Sequence, residues 1–109
     1  MAYDEELAER IRKLLAPHDG LTEKRMFGGI SFLVHGNMCC GVARDDLVVR
    51  VGPERYEMAV MEPHARPMDF TGRPMKGLVY VGAGGYASDQ DLAKWVKRGV
   101  DFAASLPAK

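Results

Sequence analysis

The sequence predicts an α+β domain, a two-layer arrangement of a mostly antiparallel sheet with helices on one face, in the order α-β(3–4)-α-β(1–2)-α. Three observations predict it. Apolar residues recur at helical spacing near both ends of the chain. Between them, residues 23–51 alternate with the two-residue period of strands and are punctuated by turn signals. These strands follow one another without intervening helices, which separates an α+β order from the alternating α/β one. With 109 residues, 47% of them apolar and 28% charged, the chain fits one domain spanning 1–109.

Residues 4–16 read as the first helix. Asp4 is the N-cap, Glu5 and Glu6 sit in the first turn where the helix dipole favours anions, and Leu7, Ile11, Leu14 and Leu15 form one stripe. Pro17, His18, Asp19 and Gly20 stop it. In the strands, Ile30, Phe32 and Val34 alternate with Ser31, Leu33 and His35. His35-Gly36-Asn37 is a turn. Met38, Cys40 and Val42 then alternate with Cys39, Gly41 and Ala43, and after the turn Arg44-Asp45-Asp46 comes the inward set Leu47, Val49 and Val51. The pair Gly28-Gly29 marks a turn or bulge before the second strand.

Gly52-Pro53 opens a short second helix, with proline at its first position, Glu54 in its first turn, and Tyr56, Ala59 and Val60 toward the core. Residues 62–76 contain Pro63, Pro67 and Pro74 without periodicity and read as a long ordered loop. Gly77 to Val81 is the last strand. Ser88 caps the third helix with Asp91 in a capping-box pattern, and Leu92, Val96, Val100 and Ala103 are its buried stripe, with Trp95 beside it.

Charge and cysteine usage restrict the function. Fifteen basic and fifteen acidic residues cancel, whereas a protein that lives on nucleic acid usually carries a basic excess for phosphate contacts. The N-terminus is acidic and has no apolar core of a signal peptide, and no apolar run approaches the roughly 20 residues that span a bilayer. The expected location is cytoplasmic, with no membrane partner. Cys39 and Cys40 are neighbours. On a regular strand they point to opposite faces, and there is no C-x-x-C or histidine at ligand spacing, so they read as small apolar residues rather than a metal or redox pair.

Gly82-Ala83-Gly84-Gly85-Tyr86-Ala87 is a G-x-G-x-x-A pattern between a strand and a helix. A dinucleotide site needs a further strand carrying an acidic residue after that helix, and the only acid at suitable spacing, Asp101, falls inside the helix. It reads as a flexible strand-to-helix loop. His18, His35 and His64 lie in two turns and a loop, with no nucleophile paired to them. No cofactor, metal or catalytic residue is expected.

Three stretches carry a family resemblance: Lys24-Arg25-Met26-Phe27-Gly28-Gly29-Ile30-Ser31-Phe32, Leu47-Val48-Val49-Arg50-Val51-Gly52-Pro53-Glu54, and Pro67-Met68-Asp69-Phe70-Thr71-Gly72-Arg73-Pro74-Met75-Lys76-Gly77. In this order and at these separations the chain resembles the N-terminal domain of the TfoX/Sxy family of bacterial competence regulators, over roughly residues 5–105. The resemblance implies a fold similar to secretion chaperones and a link to regulation of DNA-uptake competence. It carries over no catalytic residue, and longer members have a second domain that this sequence does not contain.

The candidate interaction surface combines basic and apolar residues around the double-glycine turn and the proline-containing segment: Lys24, Arg25, Phe27, Gly28, Gly29, Arg50, Arg66, Asp69, Phe70, Arg73, Met75 and Lys76. Its plainer reading is structural, with Arg50 pinned by Asp69 or Glu54 and the methionines filling the core. The expected function is a non-enzymatic regulatory or protein-interaction module, with a protein partner that includes a second copy of the chain joined at a sheet edge or face. Nucleic-acid binding through Lys24, Arg25, Arg66, Arg73 and Lys76 is the first alternative, and a small enzyme or ligand-binding protein is the second.

Overall fold

A computed structural model of the chain describes residues 3–26, 28–68 and 76–108. The elements run α1 (Glu5–Leu15), β1 (Leu21–Met26), β2 (Gly29–Val34), β3 (Asn37–Ala43), β4 (Asp46–Arg50), α2 (Tyr56–Val60), β5 (Ala65–Pro67), β6 (Leu78–Val81), α3 (Ala83–Tyr86) and α4 (Asp89–Ala104). The six strands form one sheet in the order β1-β2-β3-β4-β6-β5, with every neighbouring pair antiparallel. The fold is α+β, as the consecutive strands predict.

Local chemistry sets the element ends. Asp4 accepts a hydrogen bond from the Leu7 amide at 3.1 Å and starts α1, and Ser88 accepts from the Asp91 amide at 3.0 Å and starts α4. β2 and β3 are joined by His35 and Gly36, both with positive φ (50° and 84°), the backbone of a primed hairpin turn whose twist matches the strands.

One face of the sheet carries all four helices. Ile30, Phe32, Val34, Cys40, Val42, Leu47, Val49, Val79 and Val81 form a single core with Leu7, Ile11 and Leu15 of α1, Ala59 of α2, Tyr86 of α3 and Leu92, Trp95, Val96 and Val100 of α4. Arg10 ties the helices together at their ends, donating to the carbonyl of Tyr86 at 3.0 Å and to Asp89 at 3.2 Å. The opposite face has its own smaller apolar cluster, Leu33, Met38, Ala43, Val48, Met68 and Leu78, with Tyr80 packed beside it and no helix residue in it.

Four expectations need correction. The alternation of β3 breaks at a β-bulge. Phe32 pairs with Cys40 but Leu33 pairs with Met38, which leaves Cys39 as the extra residue. A bulge turns consecutive side chains toward the same side. Cys39 and Cys40 therefore both lie fully buried in the helix-side core, and Met38 crosses to the other face. The segment 62–76 contains a strand, β5, whose three residues pair with β6; its Pro67 is tolerated because β5 is a sheet edge, where one side of the strand donates nothing. The second helix begins at Tyr56 rather than at Pro53, which lies with Glu54 and Arg55 in a turn. Gly52 precedes this turn at φ 88°, and the amides of Val51 and Gly52 both donate to the Gly77 carbonyl, at 2.8 and 3.2 Å, which holds the chain away from helical geometry there. Finally, Ala83–Tyr86 closes a single helical turn, with the Gly85 amide donating to the Gly82 carbonyl at 2.8 Å.

Candidate functional site

At the end of the sheet where β2 meets β3, beside the smaller apolar cluster, lies a groove of about 690 Å³. That volume falls within the roughly 300–1,000 Å³ range of ligand sites. Its apolar wall comes from Leu33 (β2), Met38 (β3) and Leu78 (β6), and its cations from Lys24 (β1), Arg50 (β4) and Lys76. Gly36, Gly52, Pro53, Gly77 and Phe102 complete it, and no carboxylate among the described residues lines it.

The pleat explains how residues so far apart in sequence meet. Lys24 pairs with Ser31 and Arg50 pairs with Leu78, and all four sit at positions that alternate away from the helix-side core. The guanidinium of Arg50 lies over the ring of Phe102 at 5.2 Å from its centre, a cation–π contact that holds it at the mouth of the groove. Gly52 is required beneath this contact, since a β-carbon there would stand 2.5 Å from the Phe102 ring. Among the described residues neither Lys24, Arg50 nor Lys76 forms an ion pair. The expected pairing of Arg50 with Glu54 is thus not made, and Asp69, its other expected partner, lies outside the described residues.

The structure divides the rest of the predicted surface. Arg66 is committed elsewhere: it donates to Asp46 at 2.6 Å and its guanidinium lies 4.8 Å from the centre of the Tyr80 ring. Arg25 pairs with Ile30 and so alternates to the helix side, away from the groove. Gly28 is an exposed turn position, whereas Gly29 is buried where a β-carbon would stand 1.8 Å from the Val42 carbonyl oxygen. Phe27, Phe70, Arg73 and Met75 lie outside the described residues. Sequence reasoning missed Leu33, Met38, Leu78, Pro53 and Phe102. A signal for Leu33 and Leu78 was present: strands whose outward positions hold Leu33, Val48 and Leu78 are apolar on both faces, the mark of a sheet covered on both sides.

The cysteines and histidines do not line the groove. The Cys39 thiol donates to the Phe32 carbonyl at 3.4 Å and its sulfur lies 3.7 Å from that of Cys40. Hydrogen bonding between the thiols lowers the Cys39 pKa, and the same bond, with burial, raises that of Cys40 well above the ordinary thiol value. The histidines do not converge: His35 packs on Gly20 and His64 on Gly84. No group of three or more His, Cys, Asp or Glu side chains among the described residues is placed to hold a metal ion. No helix among them is long and apolar enough to cross a membrane.

The family model of the TfoX N-terminal domain matches residues 13–103. No curated protein and no solved structure matches the chain.

Proposed function

Because the chain belongs to the TfoX N-terminal domain family, we propose that it is a non-enzymatic regulatory module of the competence-regulator type, which acts by holding a protein partner on the helix-free face of its sheet. The observation that carries this reading is the groove: apolar side chains from three strands, flanked by three cations without acidic partners among the described residues, at the end of the sheet where its helix-free face meets Phe102 of α4. Apolar surface interrupted by fixed charge suits recognition of another chain, the apolar part supplying affinity and the charges register.

The test is photo-crosslinking in the host, with a benzophenone amino acid placed at position 24 or 76 and, as control, at the exposed Glu5 at the start of α1, beside Asp4, whose amide donates to Arg44 at the opposite, β3–β4 end of the sheet. Nuclease-resistant protein crosslinks at 24 and 76, absent at 5, are expected. Crosslinks no stronger than at the control position would overturn the reading. Crosslinks that vanish with nuclease would replace it with nucleic-acid binding, which draws on the same three cations and demands an affinity that falls steeply with salt.

A further inference from the structure

We infer that the groove is a receptor for an extended acidic peptide segment with the pattern acid-x-apolar-x-acid. The inference rests on the interaction-module reading and specifies the partner's chemistry. Three features of the groove lead to it.

The first is the sign of the charge. Lys24, Arg50 and Lys76 face the groove, no carboxylate among the described residues lines it, and the whole chain is neutral, so among these residues the groove holds a local excess of positive charge. An anionic ligand is the complement.

The second is the separation of the cations. Lys24 lies on β1 and Arg50 on β4, with β2 and β3 between them. Lys24 lies level with Val48, two residues before Arg50, so three inter-strand spacings of about 4.8 Å and two residues of strand rise place their backbones roughly 16 Å apart. Lys76 belongs to the Arg50 end, two residues before Leu78, the pairing partner of Arg50. A single small anion does not span that distance. An extended chain rises about 3.3 Å per residue, so acids four positions apart lie about 13 Å from one another and on the same side, with the residue midway also facing the sheet.

The third is what lies between the charges. Leu33 and Met38 occupy the strands that separate Lys24 from Arg50, and Leu78 completes the apolar wall. This floor receives the central apolar side chain and offers nothing to a bare phosphate. Nor do the amides of Val51 and Gly52 at the groove's edge, because both already donate to the Gly77 carbonyl. A backbone cradle of the kind that binds phosphate is therefore not available from them.

The test is fluorescence anisotropy with the full chain and a fluorescein-labelled peptide, Gly-Glu-Ser-Leu-Ser-Glu-Gly. Two control peptides replace both glutamates by glutamine, or the leucine by serine. The double variant Lys24→Glu/Lys76→Glu changes two exposed side chains, so its circular dichroism should match the parent's. Binding of the parent peptide is expected, weakened about tenfold or more by the double variant and by the glutamine peptide, as for loss of charge pairs at an interface. The serine peptide should also bind more weakly, and the double variant should prefer the charge-swapped peptide Gly-Lys-Ser-Leu-Ser-Lys-Gly. The assignment is overturned if the acidic peptide does not bind, if the double variant binds it equally well, or if a single-stranded oligonucleotide of similar length binds more tightly. Crosslinks to a protein at 24 and 76 combined with failure of the peptide would remove only the ligand assignment. Absence of those crosslinks would remove the module reading itself.

Discussion

Gly99 on α4 and Cys39 in β3 meet backbone to backbone: a β-carbon built on Gly99 would stand 2.1 Å from the carbonyl oxygen of Cys39. The bulge at Cys39 and the absence of a side chain at 99 together let α4 settle against the centre of the sheet. Gly99→Ala is therefore destabilising, although alanine is the better helix former by about 1 kcal/mol. The obstruction is main chain and cannot rotate away, so a net loss of about 1–3 kcal/mol is expected. Thermal denaturation reads it as a fall in Tm of about 4–8 °C per kcal/mol. An unchanged Tm would show that the helix rides higher on the sheet than described.

Both thiols are fully buried in the helix-side core. Their reaction with an aromatic disulfide such as Ellman's reagent should be slow in the native protein and should accelerate with denaturant in step with global unfolding. In the native state Cys39, whose pKa is lowered by its hydrogen bond with Cys40, should be labelled before Cys40, whose pKa is raised. Stoichiometric labelling within mixing time would contradict the burial.

Arg12 of α1 grips Glu23 of β1 with two hydrogen bonds, at 2.8 and 2.9 Å, and also reaches Glu9. The bond from Arg12 holds the Glu23 carboxyl below its ordinary value. A lowered folded-state pKa means stability that is present above the unfolded value, near 4.3, and lost as pH falls through the folded one. Glu23→Gln should lower stability at neutral pH and flatten the acid limb of a stability-versus-pH curve measured by urea denaturation. The pair is partly exposed, so the neutral-pH effect should shrink in high salt. A mutant curve parallel to the parent's down to low pH would remove Glu23 from the acid transition.

Gly52 stands at φ 88° against the Phe102 ring, which in turn supports Arg50. Gly52→Ala combines a left-handed backbone cost of about 1–2 kcal/mol with displacement of the ring. Its expected signature is local: chemical-shift changes concentrated on Phe102, Arg50 and Leu78, with α1 undisturbed. Shifts spread evenly over the domain would argue against a discrete groove wall.

How much of this was legible in the sequence follows from how local each signal is. The capping aspartate and serine, the apolar stripes of α1 and α4, the hairpin turn at His35-Gly36 and the family motifs are written within a few residues of one another, and the helix and strand periods expose them directly. The α+β class followed from strands succeeding strands. By itself the sequence thus determined the class, most elements and the family.

The tertiary structure alone decided the rest. The bulge at Cys39 is a mismatch between two strands, invisible in either one, and it moved Met38 from the face its alternation assigned to the face where the groove lies. β5 has only three residues and exists because β6 offers it a partner. The basic set divided the same way. Arg66 was drawn off by Asp46 and Tyr80, and Arg25 by the pleat, while Lys24, Arg50 and Lys76 were gathered from three separate stretches into one groove. The physical reason is common to all of these. A side chain's facing depends on strand register and its partners on which strands lie side by side, and both are set by burial summed over the whole sheet rather than by the residues nearest in the chain.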